Sequence, residues 1–109
     1  MFHSSMVFIA RSKEEAESIL EQFDQCGITW ATGDRTTSFT NYNKCGTGYI
    51  IAKSSLNQHL FITYFTFVGN DFPQYVKGKI EGGILEAPIE VSEWFGCRMQ
   101  TIDTIEDLI

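Results

Sequence analysis

The sequence predicts an α+β fold in which a curved, mainly antiparallel sheet packs against one main helix, with a short helical turn near the C-terminus. An amphipathic helical pattern at about 13–26 lies between two short apolar segments of strand-forming residues. A longer run, residues 59–68, is apolar on both faces, which favours a position inside the sheet. The 109 residues show no internal repeat, so we expect one domain spanning 1–109.

The first strand and the helix are the most clearly marked elements. Residues 6–10 are apolar and rich in strand formers, which predicts a buried first strand. Ser12, with Glu15 three residues later, is a capping box and predicts the start of a helix. Gly27 offers a left-handed cap at its end. Apolar residues between them recur at the spacing of one helical face: Ala16, Ile19, Leu20 and Phe23.

Three further strands are predicted in the middle of the chain, at 28–32, 48–53 and 59–68. The third has Leu60, Ile62 and Tyr64 on one face and Phe61, Phe65 and Phe67 on the other. The last two strands can pair as a hairpin through 54–58, and Trp30 is the tryptophan we expect in the core. The polar stretch 34–47 predicts a long loop, a kind of segment that is often functional in compact domains.

The pattern weakens in the last third of the chain. Pro73 is predicted to stop any helix, and Gly78 interrupts the segment that follows. Residues 84–91 predict an edge strand, because Pro88 would remove a hydrogen bond from a central one. A short helical turn is predicted to begin at Ser92.

Net charge and cysteine content restrict the class of protein. A formal net charge of -6 argues against direct binding to nucleic acid, which needs a surplus of Lys and Arg. The three cysteines leave one outside any disulfide scheme, and no apolar run is long enough for a signal peptide or a membrane span. We therefore expect a cytoplasmic protein with reduced thiols and no membrane partner.

The charge is distributed unevenly along the chain. Residues 12–27 carry -4 and residues 81–109 carry -6, whereas residues 28–80 carry +3. Such runs are usually solvated faces. The functional interpretation is that the C-terminal segment docks on a basic surface of a partner, with two aromatic anchors. This predicted partner-binding surface consists of Glu81, Glu86, Glu90, Glu93, Trp94, Phe95, Asp103, Glu106 and Asp107.

An alternative interpretation assigns function to the polar loop. Its basic side chains and glycine backbone would hold the phosphates of a small nucleotide signal, across the interface of a homodimer. The sequence around Cys45 lacks the Gly-Lys-[Ser/Thr] ending of a P-loop, so only this weaker form of phosphate binding is predicted. The candidate ligand-binding residues are Asp34, Arg35, Tyr42, Lys44, Gly46 and Gly48.

A third hypothesis is a small enzyme that uses Cys45 as nucleophile and His59 as base. A lone cysteine more often has a packing role, so the sequence favours a protein that is not an enzyme. His3 is the only other histidine, and the chain has neither Cys-x-x-Cys nor His-x-x-x-His spacing. We therefore predict no metal and no cofactor.

The order of elements between residues 12 and 68 carries a resemblance. A helix is followed by Gly27-Ile28-Thr29-Trp30-Ala31-Thr32-Gly33, a polar loop and a β-hairpin. This resembles small accessory proteins of bacteriophages and prophages, in which a helix precedes Gly-x-x-Trp-x-[Ser/Thr]-Gly and a hairpin. Some small acidic phage proteins inhibit host defences, among them the anti-CRISPR proteins that occupy the nucleic-acid cleft of a Cas effector. The resemblance implies an anti-CRISPR-like inhibitor in the host cytoplasm whose partner is a host protein with a basic groove, such as a Cas effector. It transfers no binding residue to this chain.

Overall fold

The computed structural model describes residues 2–96. Its strands are β1 (Val7–Ala10), β2 (Thr29–Trp30), β3 (Thr47–Lys53), β4 (Leu60–Thr66) and β5 (Ile89–Glu90). Its helices are α1 (Lys13–Gln25) and α2 (Gln74–Glu81), and residues 91–96 are also helical. The strands form one sheet in the order β2-β4-β3-β1-β5. The three central strands pair antiparallel and the two short outer strands pair parallel, which confirms the predicted α+β class.

Helix α1 covers one face of the sheet, as its amphipathic pattern predicts. The hydroxyl of Ser12 accepts a hydrogen bond from the backbone N–H of Glu15 at 3.2 Å, so the predicted cap is formed. Phe23 and the other apolar residues of α1 pack on the inward side chains of the central strands. Trp30 lies in the same cluster and is only 4% exposed, which confirms its predicted place in the core. Full burial of one Leu, Ile or Phe side chain in this core stabilises the fold by about 1.5–3 kcal/mol.

Helix α2 covers only part of the opposite face. There Val7 and Ile9 pack with Phe65, Phe67 and the buried Val76 of α2. Farther along the same face, Ile50 and Ala52 are only half-buried. This face is therefore closed near the start of β3 and open toward its end.

The prediction that Pro73 stops any helix is wrong. Pro73 directly precedes α2 as its N-cap residue, with φ -55° and ψ 146°. A proline is compatible with the start of a helix because the first backbone N–H groups have no partner inside the helix. Gly78 lies within α2 and does not end it.

The predicted edge strand at 84–91 is much shorter in the structure. Only Ile89–Glu90 forms a strand, and it begins directly after Pro88, which has no N–H to donate. Its position at the edge of the sheet agrees with the prediction. The chain is already helical at residue 91, one residue before the predicted start at Ser92.

The loop between β2 and β3 contains no helix or extended strand, as the polar stretch predicts. It is nevertheless held in place by side chains. The Thr36 hydroxyl donates to the carbonyl of Leu20 in α1 at 2.6 Å, and the Tyr49 hydroxyl donates to the carbonyl of Thr40 at 2.7 Å. These bonds make the loop a fixed wall beside α1.

Candidate functional site

Two carboxylates of the predicted C-terminal acidic surface have basic partners within the protein. Glu90 accepts two hydrogen bonds from the guanidinium of Arg11, at 2.9 and 3.1 Å. The carboxylate of Glu86 lies 3.2 Å from Nδ1 of His3. Among the described residues of this surface, the exposed carboxylates outside any such pair are Glu81 and Glu93. Asp103, Glu106 and Asp107 lie outside the described residues.

The two predicted aromatic anchors of that surface support the core. The ring of Trp94 stacks on Phe2 with centroids 5.5 Å apart, and it meets Phe8 edge-on at 5.3 Å. Phe95 is half-buried and packs on the same core. An interface anchor must offer its ring to the partner, and these rings are engaged within the protein. Both side chains are half-buried against the core, and their role as partner anchors stays a prediction.

The glycines proposed to hold phosphates are occupied by aromatic neighbours. Gly48 lies in β3 and pairs with Ile9 of β1. A Cβ added to Gly48 would overlap the ring of Phe65. Gly46 lies against Phe67, whose ring would be 2.8 Å from an added Cβ. Both glycines therefore serve close packing on the α2 side of the sheet, and their assignment to a phosphate cradle stays a prediction.

The side chains of the proposed nucleotide loop are largely engaged elsewhere. The guanidinium of Arg35 donates to both carboxylate oxygens of Asp24, at 3.0 and 2.7 Å. Asp34 accepts a hydrogen bond from the Thr32 hydroxyl at 2.8 Å. Of the other two candidate side chains, Tyr42 is half-buried and Lys44 is exposed. Neither takes part in the ion pair between Arg35 and Asp24.

Cys45 and His59 lie at opposite ends of the β3–β4 hairpin. Cys45 precedes β3 and His59 precedes β4, and these seven-residue strands pair antiparallel along their whole length. At about 3.3 Å per residue, this separates the two side chains by roughly 20 Å. His59 instead shares a 3.0 Å hydrogen bond with the Thr29 hydroxyl. The hypothesised Cys–His pair is not formed.

A different site emerges between α1 and the loop after β2. It is a cleft of 380 Å³ with Leu20 at its base, a wall from the loop, and a wall from α1. We call it the acidic cleft. The loop contributes Arg35, Thr36, Thr37 and Thr40, and the carboxylates of the α1 wall are Glu17, Glu21 and Asp24.

The charge balance of the acidic cleft is negative. Arg35 neutralises Asp24, and its hydrogen bonds hold the pKa of the Asp24 carboxyl below the usual range. Glu17 and Glu21 are exposed, and within residues 2–96 neither has a lysine or arginine within 4 Å. A positively charged group entering from outside would therefore meet two free carboxylates.

Sequence reasoning missed this cleft although part of its signal is local. Positions 17, 21 and 24 are spaced to lie on one side of a helix, and the net charge of the helix stretch was noted. The loop wall depends on contacts such as that from Thr36 to Leu20, sixteen residues apart. No local pattern indicates which side of α1 the loop would cover.

No group of His, Cys, Asp and Glu within residues 2–96 is arranged to hold a metal ion. None of the helices in that range has the length and apolar character needed to cross a membrane. No family model, curated protein or solved structure matches the chain.

Proposed function

We propose that this protein is a non-enzymatic binding protein that docks its acidic cleft on a basic surface of a macromolecular partner. The observation that carries the proposal is the position of Glu17 and Glu21 at a concave site. Among residues 2–96, the only cationic residue that lines this site is Arg35, which is already bound to Asp24. A lysine or arginine side chain of the partner would enter the cleft. Its charged end would meet the two glutamates, and its aliphatic stem would lie toward Leu20.

The cleft strengthens an interaction that would be weak on an open surface. An exposed ion pair typically contributes only about 0.2–1 kcal/mol. Close charge pairs that become desolvated in an interface can show coupling energies of about 1.5–7 kcal/mol. The net charge of -6 would also accelerate encounter with a basic partner at low salt.

The specific form of this proposal is an anti-CRISPR-like inhibitor that blocks the basic, nucleic-acid-binding groove of a host defence protein such as a Cas effector. This form rests on the sequence resemblance and on the acidic character of the chain. The geometry of α1 supports it by offering a docking surface that does not need the C-terminal segment. In this proposal the protein competes with nucleic acid and does not bind it.

The test compares partners captured from host lysate by the wild-type chain and by a Glu17→Gln/Glu21→Gln variant. A Glu81→Gln/Glu93→Gln variant is the matched control, because it removes the same charge from exposed sites away from the cleft. We expect one basic partner to be retained by wild type and control, lost by the cleft variant, and released as salt rises from 50 to 500 mM, on the order of the change that screens exposed charges. Equal capture by all three, or no cleft-dependent basic partner, contradicts the proposal.

A further inference from the structure

The outer side of β4 is only partly covered by β2. Strand β2 pairs with Phe61 and Ile62, and just after it the N–H of Ala31 donates to the carbonyl of Ile62 at 3.1 Å. The chain then turns away from the sheet. Residues 63–66 therefore pair with β3 on one side and, among residues 2–96, with no strand on the other. At about 3.3 Å per residue this open stretch is roughly 13 Å long. We call it the β4 edge.

Four backbone groups along the β4 edge have no hydrogen-bond partner among residues 2–96. Successive residues of a strand direct their N–H and C=O groups to opposite sides. The carbonyl of Ile62 is bonded on the β2 side, and the N–H of Phe67 donates to Gly46 on the β3 side. The N–H and C=O groups of Tyr64 and Thr66 therefore point outward, where none of them is bonded. Both residues are exposed, so these two donors and two acceptors can be reached from outside.

The β4 edge has none of the features that usually keep the edges of sheets from pairing with other chains. Such features are charged side chains, prolines and bulges. Residues 60–66 contain no charged residue and no proline. Their pairing with β3 runs without interruption from Thr66 opposite Thr47 to Leu60 opposite Lys53, so no bulge bends the strand away. An extended backbone that meets this edge can therefore pair with it.

A pocket lies beside the β4 edge at the point where β2 ends. Its volume of 230 Å³ is below the range of about 300–1,000 Å³ for drug-sized ligands and suits a single side chain. Three of its lining residues are Trp30, Phe39 and Tyr64, so we call it the aromatic pocket. Phe39 stacks on Trp30 with centroids 5.4 Å apart, and Tyr64 meets Trp30 edge-on at 6.0 Å. Phe39 and Tyr64 are 42% and 45% exposed, and no described residue that lines the pocket is charged. The pocket therefore suits an apolar ring.

We infer that the β4 edge pairs with an extended segment of a partner protein, and that the aromatic pocket receives one aromatic side chain of this segment. Antiparallel pairing is the more stable arrangement per residue. In it, the two residues of the segment opposite Tyr64 and Thr66 satisfy all four free backbone groups of the edge. The residue opposite Tyr64 has its side chain on the same face of the sheet as Tyr64, beside the aromatic pocket. The main-chain bonds provide affinity, and the pocket selects the side chain.

A second copy of this chain fits the β4 edge less well than a partner segment. The register that satisfies all four groups sets Tyr64 opposite Thr66 of the second copy, which offers no ring to the aromatic pocket. The same register sets Ile62 opposite Val68 of the second copy. Ala31 already occupies that place through its bond to Ile62. A segment that leaves the sheet after it has passed Tyr64 avoids this overlap.

The test is an NMR titration of the 15N-labelled full chain with the capped tetrapeptide Thr-Val-Phe-Thr. In the free chain we expect fast hydrogen exchange at the amides of Tyr64 and Thr66, and slow exchange at Phe65, whose N–H faces β3. The tetrapeptide should shift the amides of Tyr64 and Thr66 and slow their exchange about tenfold or more, with no change at Phe65. A peptide that binds without this alternation contradicts pairing with the edge.

Two methylated peptides test the main-chain bonds. In the antiparallel arrangement the N–H of the phenylalanine faces the β4 edge, and the N–H of the valine before it faces away. An N-methyl group on the phenylalanine should weaken binding about tenfold or more, because it removes a donor and leaves an acceptor unpaired. The same group on the valine is the matched control and should leave binding nearly unchanged. Equal loss or equal retention of binding by the two peptides overturns the inference.

Variants of the chain separate the backbone from the pocket. Thr66→Pro removes one outward N–H but no bond to β3, so the sheet should keep its pairing while the tetrapeptide binds about tenfold more weakly. Thr66→Ala keeps that N–H and should bind like the wild type. Phe39→Ala should weaken Thr-Val-Phe-Thr severalfold but not Thr-Val-Ala-Thr, with the exposed Leu56→Ala as its control. If Phe39→Ala weakens both peptides equally, the aromatic pocket does not receive the ring.

Two further results would overturn the inference. One is the absence of any shift at the β4 edge. The other is protection of Tyr64 and Thr66 that rises with the concentration of the free chain, together with dimerisation in sedimentation, since a second copy would then cover the edge. Glu17→Gln/Glu21→Gln should bind the tetrapeptide as the wild type does, because neither glutamate lines the aromatic pocket. Failure at the β4 edge is therefore distinct from failure of the acidic cleft.

Discussion

The two faces of the sheet contain similar apolar strand residues but differ in how far a helix covers them. On the α1 face, four helix residues are buried and the core is closed. On the α2 face, the helix fully buries only Val76 and leaves a groove beside it. Apolar alternation along a strand therefore indicates which residues can be buried, and the helix above them determines which are.

Helix length explains the difference. At 1.5 Å per residue, the thirteen residues of α1 span about 20 Å and the eight residues of α2 about 12 Å. The seven-residue strands β3 and β4 are about 23 Å long at 3.3 Å per residue. One helix nearly matches the strands, whereas the other is too short to cover their full length.

Truncating one large side chain on each face gives the largest contrast. Phe23→Ala should lower the free energy of unfolding by about 3–5 kcal/mol, because Phe23 is fully buried and its ring contacts Phe2 and Phe8. Ile84→Ala, at an exposed position that follows α2, should change it by no more than about 0.5 kcal/mol. Urea unfolding followed by circular dichroism measures both. If the Ile84→Ala variant loses as much stability as Phe23→Ala, the open part of the α2 face belongs to the closed core and the comparison fails.

Adding one methyl group tests how tightly the closed end of the α2 face is packed. Gly48→Ala would place a Cβ in the ring of Phe65, so we expect a loss of about 1–3 kcal/mol. Gly78→Ala is the matched control, since nothing lies within 4 Å of its added Cβ and alanine favours the helix by about 0.5–1 kcal/mol. Urea unfolding of the two variants measures both the expected loss of stability and the expected gain. A neutral Gly48→Ala variant would show that Phe65 yields and that this end is loosely packed.

A smaller effect on the α1 face is expected at high pH. Burial raises the pKa of the Tyr49 phenol well above its ordinary value, so the folded state keeps this proton longer than the unfolded chain. The stability that depends on it is complete below about pH 10 and is lost as pH rises further.

Tyr49→Phe tests this titration. The variant loses the hydrogen bond to Thr40, about 1 kcal/mol at pH 7, and its stability should fall less than that of the wild type above pH 10. Urea midpoints between pH 7 and 11 provide the measurement, with Tyr75→Phe at an exposed position as the control for loss of a phenol. An identical alkaline decline in wild type and Tyr49→Phe would contradict burial as the cause.

Sequence patterns located the elements whose signals are local. The Ser12 cap, the buried face of α1, the β3–β4 hairpin and the core position of Trp30 were all predicted and are all present. Helix α2 was missed because Pro73 and Gly78 are usually breakers, and their effect depends on where in the helix they fall. The acidic cleft was missed because its loop wall depends on contacts that have no local pattern.

The sequence by itself determined the apolar periodicities, and with them the fold class and the residues able to form the core, because these depend on the 3.6-residue and two-residue repeats of helix and strand. Only the tertiary structure decided which charges stay free. Arg11 reaches Glu90 across 79 positions and removes it from the acidic surface, whereas Glu17 and Glu21 line a cleft with no lysine or arginine within 4 Å among residues 2–96. Ion pairing depends on distances between side chains, and those distances are set when the chain folds and not by their order along it.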